Sequence, residues 1–246
     1  GDTSGGGDEE PTENPNASKP RYIWIDAAAN FPDFANSKEN IARDLALAKD
    51  AGFTDIVVDV RPTTGDVLFK TNHVDQVKFM YAWIGSNYTK VERTATWDYL
   101  QAFVDEARKQ GLRIHAAINT FVGGNQIDGG TGLLYRDQSK AAWATQMNMQ
   151  TGITSVMNTS ESAKFFNPAH PEVQTFLCNL LKDLASYDLD GIFLDRGRFL
   201  NLQADFSEES RKQFEAYMGG IKIQNYPDDI LAPGASSLPA TYPKYM

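Results

Sequence analysis

Apolar residues along this chain follow two rhythms that take turns. A β-rich run, RYIWIDA (residues 21–27), leads into a polar loop with Asn30, Pro32 and Asp33, and then into apolar positions at Ile41, Leu45 and Ala48. That spacing predicts an amphipathic helix, opened by Ser37 as N-cap and stopped by Gly52. DIVVDVRP (55–62) reads as a second strand. After a long loop, Thr96 is placed to cap a helix with Leu100, Phe103, Val104 and Ala107 on one side, ended by Gly111. RIHAAINTF (113–121) is the third strand, and residues 122–165 form an excursion, Gly-rich at first and then partly helical around Lys140–Met149. NPAHPEV puts Pro171 at a first helical position of a helix reaching about Ser186, DGIFLDRG (190–197) is the fourth strand, and Ser207 opens a last helix to about Met218.

Strands and helices alternating in this way call for a parallel sheet with right-handed crossovers, because parallel neighbours need a helix-sized return path. Two α/β architectures satisfy that requirement, an open doubly wound sheet and a (β/α)8 TIM barrel. Each strand ends in a polar residue, Asp26, Arg61, Asn119 or Asp195, and a barrel would gather those ends at one mouth. No GxGxxG turn follows the first strand, so the dinucleotide-binding sheet lacks its signature. The barrel is the better reading. Only the first four β/α units are evident, and the tail from Gly219 to Met246, rich in Pro, Gly and Tyr, offers at most one short strand. Residues 21–246 therefore read as the N-terminal portion of a barrel.

Composition narrows the range of partners. A net charge of −9 disfavours nucleic acid, since phosphate binding rewards a basic surface. The one cysteine, Cys178, permits no intrachain disulfide and sits in an apolar stretch that makes it read as a core thiol. His73, His115 and His170 show no metal-ligand spacing, so no metal and no cofactor is expected. Residues 1–20 hold no large apolar side chain and are expected to stay disordered, either as the acidic tether of a lipid-anchored bacterial surface protein or as an ordinary linker.

Period-two alternation puts Phe193 with Asp195, Asp59 with Arg61, and His115 with Ala117 and Asn119 on shared strand faces. Asp195 is the candidate catalytic carboxylate, or else a cap on the loop or helix that follows it. Arg61 would hold Asp195 ionised or bind hydroxyls, or would pair with Asp59 along the barrel lining. His115, early in its strand, reads as a deep, satisfied core histidine, and His170 as a helix cap. Trp83, Tyr88, Phe121, Tyr135 and Trp143 lie between the periodic segments, where flat apolar faces with polar edges suit sugar rings or local packing equally. The glycine-rich run 123–132 lacks the Gly-Lys-Ser/Thr end of a phosphate loop and reads as a mobile loop.

AGFTDIVVDVRPTTGDVLFKT (51–71), GLRIHAAINT (111–120), NPAHPEV (167–173) and YDLDGIFLDR (187–196) occur in the order and spacing of a known family. Together they resemble the bacterial glycosyl hydrolase-like 10 family, relatives of the amylase-like and other barrel glycosidases. The resemblance implies a glycosidase-type TIM barrel, an extracytoplasmic location and hydrolysis of a glycan, peptidoglycan glycan strands being one such substrate. It places Arg61, Asn119 and Asp195 at the mouth. Where the family usually reads Asp-Gly-Ile-His-Phe-Asp-Asp-Tyr, this chain has Phe193 for the His and Arg196 for the second Asp. The expectation is a hydrolase with Asp195 as nucleophile or base, and with its acid drawn from a later strand. Asp26, Arg61, His115, Asn119, Arg196, Trp83 and Tyr135 are expected to contact the sugar. The alternative is an inactive carbohydrate-binding barrel. The expected setting is a bacterial outer membrane or cell surface, reached through a lipid anchor.

Overall fold

The computed structural model describes residues 19–238, so nearly all of the expected tether lies outside the described residues. In chain order the elements are β1 (Tyr22–Ile25), α1 (Ala27–Phe34), α2 (Lys38–Asp50), β2 (Asp55–Arg61), β3 (Phe79–Ile84), β4 (Asn87–Glu92), α3 (Tyr99–Gln110), β5 (Arg113–Asn119) and β6 (Val122–Asn125). There follow α4 (Leu133–Arg136), β7 (Gln146–Met149), β8 (Gly152–Ser155), β9 (Ala163–Phe165), α5 (Pro171–Leu184), β10 (Gly191–Asp195) and α6 (Glu208–Tyr217).

The main sheet is parallel, in the order β1-β2-β5-β10, so neighbours in space are successive β/α units in sequence. One face is packed. Ile56, Val58, Ile114, Ala116 and Ile118 are buried with Ile41 and Leu45 of α2, Phe103 of α3, and Leu177 and Leu180 of α5. The opposite face carries Tyr22 and Trp24, nearly half exposed, beside Phe193 at 38% exposure. A doubly wound sheet is covered by helices on both faces; helices backing one face of successive parallel strands are the wall of a barrel. The fold is thus a partial α/β barrel of the expected kind.

Most helix ends obey local chemistry. Ser37 accepts the Asn40 N–H at 3.1 Å, Ser207 accepts that of Ser210 at 3.2 Å, and His170 Nδ1 accepts that of Glu172 at 3.2 Å just before Pro171, as a capping histidine should. Gly111 ends α3 at φ 67°, a left-handed C-cap conformation open to glycine.

The structure corrects several expectations. The loop foreseen around Asn30 and Pro32 is α1, in which burial of Phe31 and Phe34 and capping by Asp26 outweigh an internal proline. Asp98, not Thr96, caps α3. Cys178 is exposed, because Val173, Phe176, Leu177 and Leu180 fill the inward stripe of α5 and the residue after Leu177 lies about 100° around the helix. Helix around residues 140–149 stops at Trp143, and Gln146–Met149 instead pairs antiparallel with Gly152–Ser155. The glycine-rich run is not a free loop. Its β6 pairs with β9, and a Cβ on Gly132 would lie 2.6 Å from Gly124 Cα and 2.8 Å from the Thr64 carbonyl, a closeness that only glycine allows.

Candidate active site at the sheet mouth

The residue just after β1 and the last residue of β10 are aspartates, and a third, Asp59, lies near the end of β2. Register brings them together. Asp59 stands opposite Ala117, Ala117 opposite Phe193, and Asn119 opposite Asp195, so the inward rows end in polar groups on neighbouring strands. Trp24, Asp26, Asp59, Asn119, Asp195 and Arg196 line a common pocket of about 120 Å³ at this end, where barrel enzymes place their chemistry.

The three carboxyl groups differ in surroundings. Asp26 is exposed, and its Oδ1 accepts the Ala29 N–H at 2.7 Å, tying it to the start of α1. Asp195 is exposed, and its Oδ1 accepts the Arg196 N–H at 2.8 Å. Arg196 is held at φ 47°, a left-handed conformation that costs a non-glycine residue about 1–2 kcal/mol and that clusters at functional sites. Asp59 is buried, and its Oδ1 accepts the Arg61 N–H at 3.2 Å. Among the described residues no cation forms an ion pair with it. Burial first, then the negative charge of Asp26 and, more weakly, of Asp195, pushes its carboxyl up to about 7, against backbone N–H groups of Arg61 and Ala27 that favour the ionised form. Asp59 therefore keeps a proton into the neutral range and can donate a hydrogen bond.

Asp26, Asn119, Asp195 and Arg196 are brought together at the mouth as expected, although the Asn119 amide already donates to the Arg61 carbonyl at 2.9 Å. Arg61 is not available to a ligand. Its guanidinium is fully buried and donates to the carbonyls of Asn119, Thr120 and Val122. The expected pairing with Asp59 or Asp195 fails too, because the β2–β5 ladder shifts register between Asp59 and Arg61 and such a bulge turns the following side chain off its face. Burial lowers the Arg61 pKa to about 10. His115 also stays out of the pocket. Its Nε2 meets Asp55 Oδ2 at 2.6 Å, deep among the rings of Tyr22 and Phe193, which bears out the core reading and removes it from the sugar-contact set.

Trp83 and Tyr135 are not in the carboxylate pocket either. Trp83 is 68% exposed on β3, and the Tyr135 ring packs over Gly130, where a Cβ would lie 2.2 Å from it. Trp143 is core, with Nε1 donating to Glu172 at 2.8 Å. Sequence reasoning missed Asp59 as a site residue, although its shared parity with the mouth was legible. It also missed Trp24. The β3–β4 hairpin was hidden in the long loop despite alternating residues around Gly85-Ser86, a two-residue hairpin signal. Among the described residues no group of three or more His, Cys, Asp or Glu side chains could hold a metal ion.

A helix-backed parallel wall with carboxylates at its C-terminal mouth is the architecture that barrel glycosidases share. A family model described as glycosyl hydrolase-like 10 matches residues 19–230, and the chain belongs to that family. An S-layer-related protein of Niallia circulans is 32% identical over 216 residues, covering 85% of this chain and 13% of the relative. Among solved structures, the alpha-L-fucosidase isoenzyme 2 of Paenibacillus thiaminolyticus superposes with a TM-score of 0.53 at 18% identity, over 85% of this chain and 27% of that one. A hypothetical protein of Ruminiclostridium thermocellum aligns with a TM-score of 0.47 at 14% identity, over 80% and 90% of the two chains. The chain thus spans well under a third of both the curated relative and the fucosidase.

Proposed function

We propose that this chain forms the substrate mouth of a glycoside hydrolase, with Asp195 as nucleophile or base. The observation that supports this most is the meeting of Asp26, Asp59 and Asp195 in one pocket, with Asp59 still protonated near neutral pH. Glycosidic cleavage pairs an ionised carboxylate, which attacks the sugar or activates water, with a protonated acid at the leaving oxygen. In this reading Asp59, buried beneath the exposed Asp26 and Asp195, donates to a sugar hydroxyl. The substrate is an extracytoplasmic glycan, with peptidoglycan strands first among the candidates, and residues 1–20 tether the domain to the cell surface. Family membership and the S-layer-related name of the curated relative support that setting.

A second reading, a glycan-binding barrel without turnover, is favoured by the Arg196 N–H on Asp195 and by the Arg196 cation in the same pocket. Reducing-end release from peptidoglycan strands and a polysaccharide panel, compared between the full-length protein and its Asp195→Asn variant, separates the two. A hydrolase loses turnover by about a hundredfold or more. Unchanged turnover removes Asp195 from the mechanism, and glycan binding with no turnover in either protein selects the second reading.

A further inference from the structure

The pocket around the three carboxylates, about 120 Å³, falls below the roughly 300–1,000 Å³ of ordinary small-molecule sites. It does not end at the carboxylates. Ala28, Thr63 and Met80 are shared with an adjoining cleft of about 320 Å³ that runs along the β3–β4 hairpin. We propose that this hairpin cleft is a second sugar-binding subsite, so that the chain's ligand is an oligosaccharide or longer glycan threaded past the mouth rather than a single terminal sugar. The proposal rests on the glycan reading above and extends it to chain length.

The chemistry of the walls carries the assignment. Every residue lining the cleft is uncharged, in a chain of net charge −9, which suits a neutral polar ligand and offers no ion a partner. One wall is aromatic. The Tyr81 and Tyr88 rings stack at 5.3 Å and 28° beside Phe79, and Trp83, 5.2 Å from Tyr88, extends the aromatic surface beyond the cleft lining. Tyr88 and Trp83 are mostly exposed. The rest of the lining includes Asn125, Gln126 and Ser162, of which Asn125 also donates to the Thr63 carbonyl at 3.3 Å and accepts the Ile127 N–H at 3.1 Å. A flat apolar face together with short hydrogen-bonding groups complements a pyranose, which has C–H faces and a hydroxyl rim.

The two walls are also fixed relative to each other. Tyr81 donates its hydroxyl to Asp128 at 2.9 Å, and Lys90 pairs with the other oxygen of Asp128 at 2.8 Å, fastening both hairpin strands to the turn beside Gln126. Gln126 in turn donates to Ser162 Oγ at 3.3 Å. A preformed cleft binds without the cost of ordering it.

The test uses the full-length Asp195→Asn protein, titrated calorimetrically with GlcNAc–MurNAc di-, tetra- and hexasaccharides. Affinity should rise by about tenfold from the disaccharide to the hexasaccharide. Tyr88→Ala, at an exposed position, should cancel most of that gain, with the loss falling on the longer oligomers, and Tyr88→Trp should restore it. Circular dichroism checks that both variants are folded. Affinity independent of length, a Tyr88→Ala loss equal at every length, or no binding at all overturns the proposal. Length-dependent binding without turnover in the parent protein would sink the hydrolase reading while leaving the subsite in place; turnover of short and long oligomers alike would do the reverse.

Discussion

β2 carries two buried aspartates on one strand, and the protein surrounds them in opposite ways. Asp55, at the start, is met by His115 Nε2 at 2.6 Å and by the Thr54 hydroxyl at 2.6 Å. Asp59, a helical turn's worth of residues further on, receives a backbone N–H and faces the charges of Asp26 and Asp195. Both are almost inaccessible to solvent. Asp59 lacks the imidazole and hydroxyl partners that Asp55 has, so its burial and the charges of Asp26 and Asp195 raise its carboxyl.

The largest expected effect tests that contrast through pH. The Asp59 pKa in the folded protein, about 7, lies above its ordinary value of 3.8, so the native state holds a proton that the unfolded chain has released. The resulting stability is fully present below about pH 4 and is lost as pH rises through about 7, a swing on the order of 4 kcal/mol. Asp59→Asn keeps the shape and cannot ionise, and urea unfolding at a series of pH values should show this slope missing in the variant. Parallel pH curves for the two proteins would show that the Asp59 carboxyl titrates alike in the folded and unfolded chain.

At the other end of β2, Asp55→Asn weakens a buried charge-assisted contact to His115. Its expected cost is roughly 1–3 kcal/mol in unfolding free energy, with glycan affinity unaltered. A loss of affinity without a loss of stability would place Asp55 at the site and erase the contrast. The smallest effect concerns the turn beside Asp195. Arg196→Gly relieves the left-handed backbone and should raise stability by about 0.5–1 kcal/mol, read as a shift of the unfolding midpoint; a loss would mean that the Arg196 side chain itself holds the turn.

What the sequence made legible follows from which forces are local. The caps Ser37, Ser207 and Gly111, the proline start of α5, the strand order and the placing of Asp26, Asn119 and Asp195 at one mouth all rest on period and on nearest neighbours. Arg61 escaped because a bulge between it and Asp59 breaks the period-two rule, and a bulge is decided by pairing with β5, not by the residues of β2. α1 escaped because burial of Phe31 and Phe34 overrides the loop signal of Asn30 and Pro32. The raised Asp59 pKa comes first from burial, and then from Asp26, thirty-three positions earlier in the chain, and Asp195 on the far strand. Such a sum over distant charges is not written in any window of sequence.

Arg61 grips the stretch from Asn119 to Val122 through its carbonyl oxygens alone. Every amino acid carries that oxygen, so the anchor is blind to which side chains follow β5. The bend can therefore drift in evolution, or be randomised in a library at Thr120 and Phe121, while its path stays pinned beside the mouth. That makes the segment a natural place to alter ligand preference without rebuilding the wall behind it.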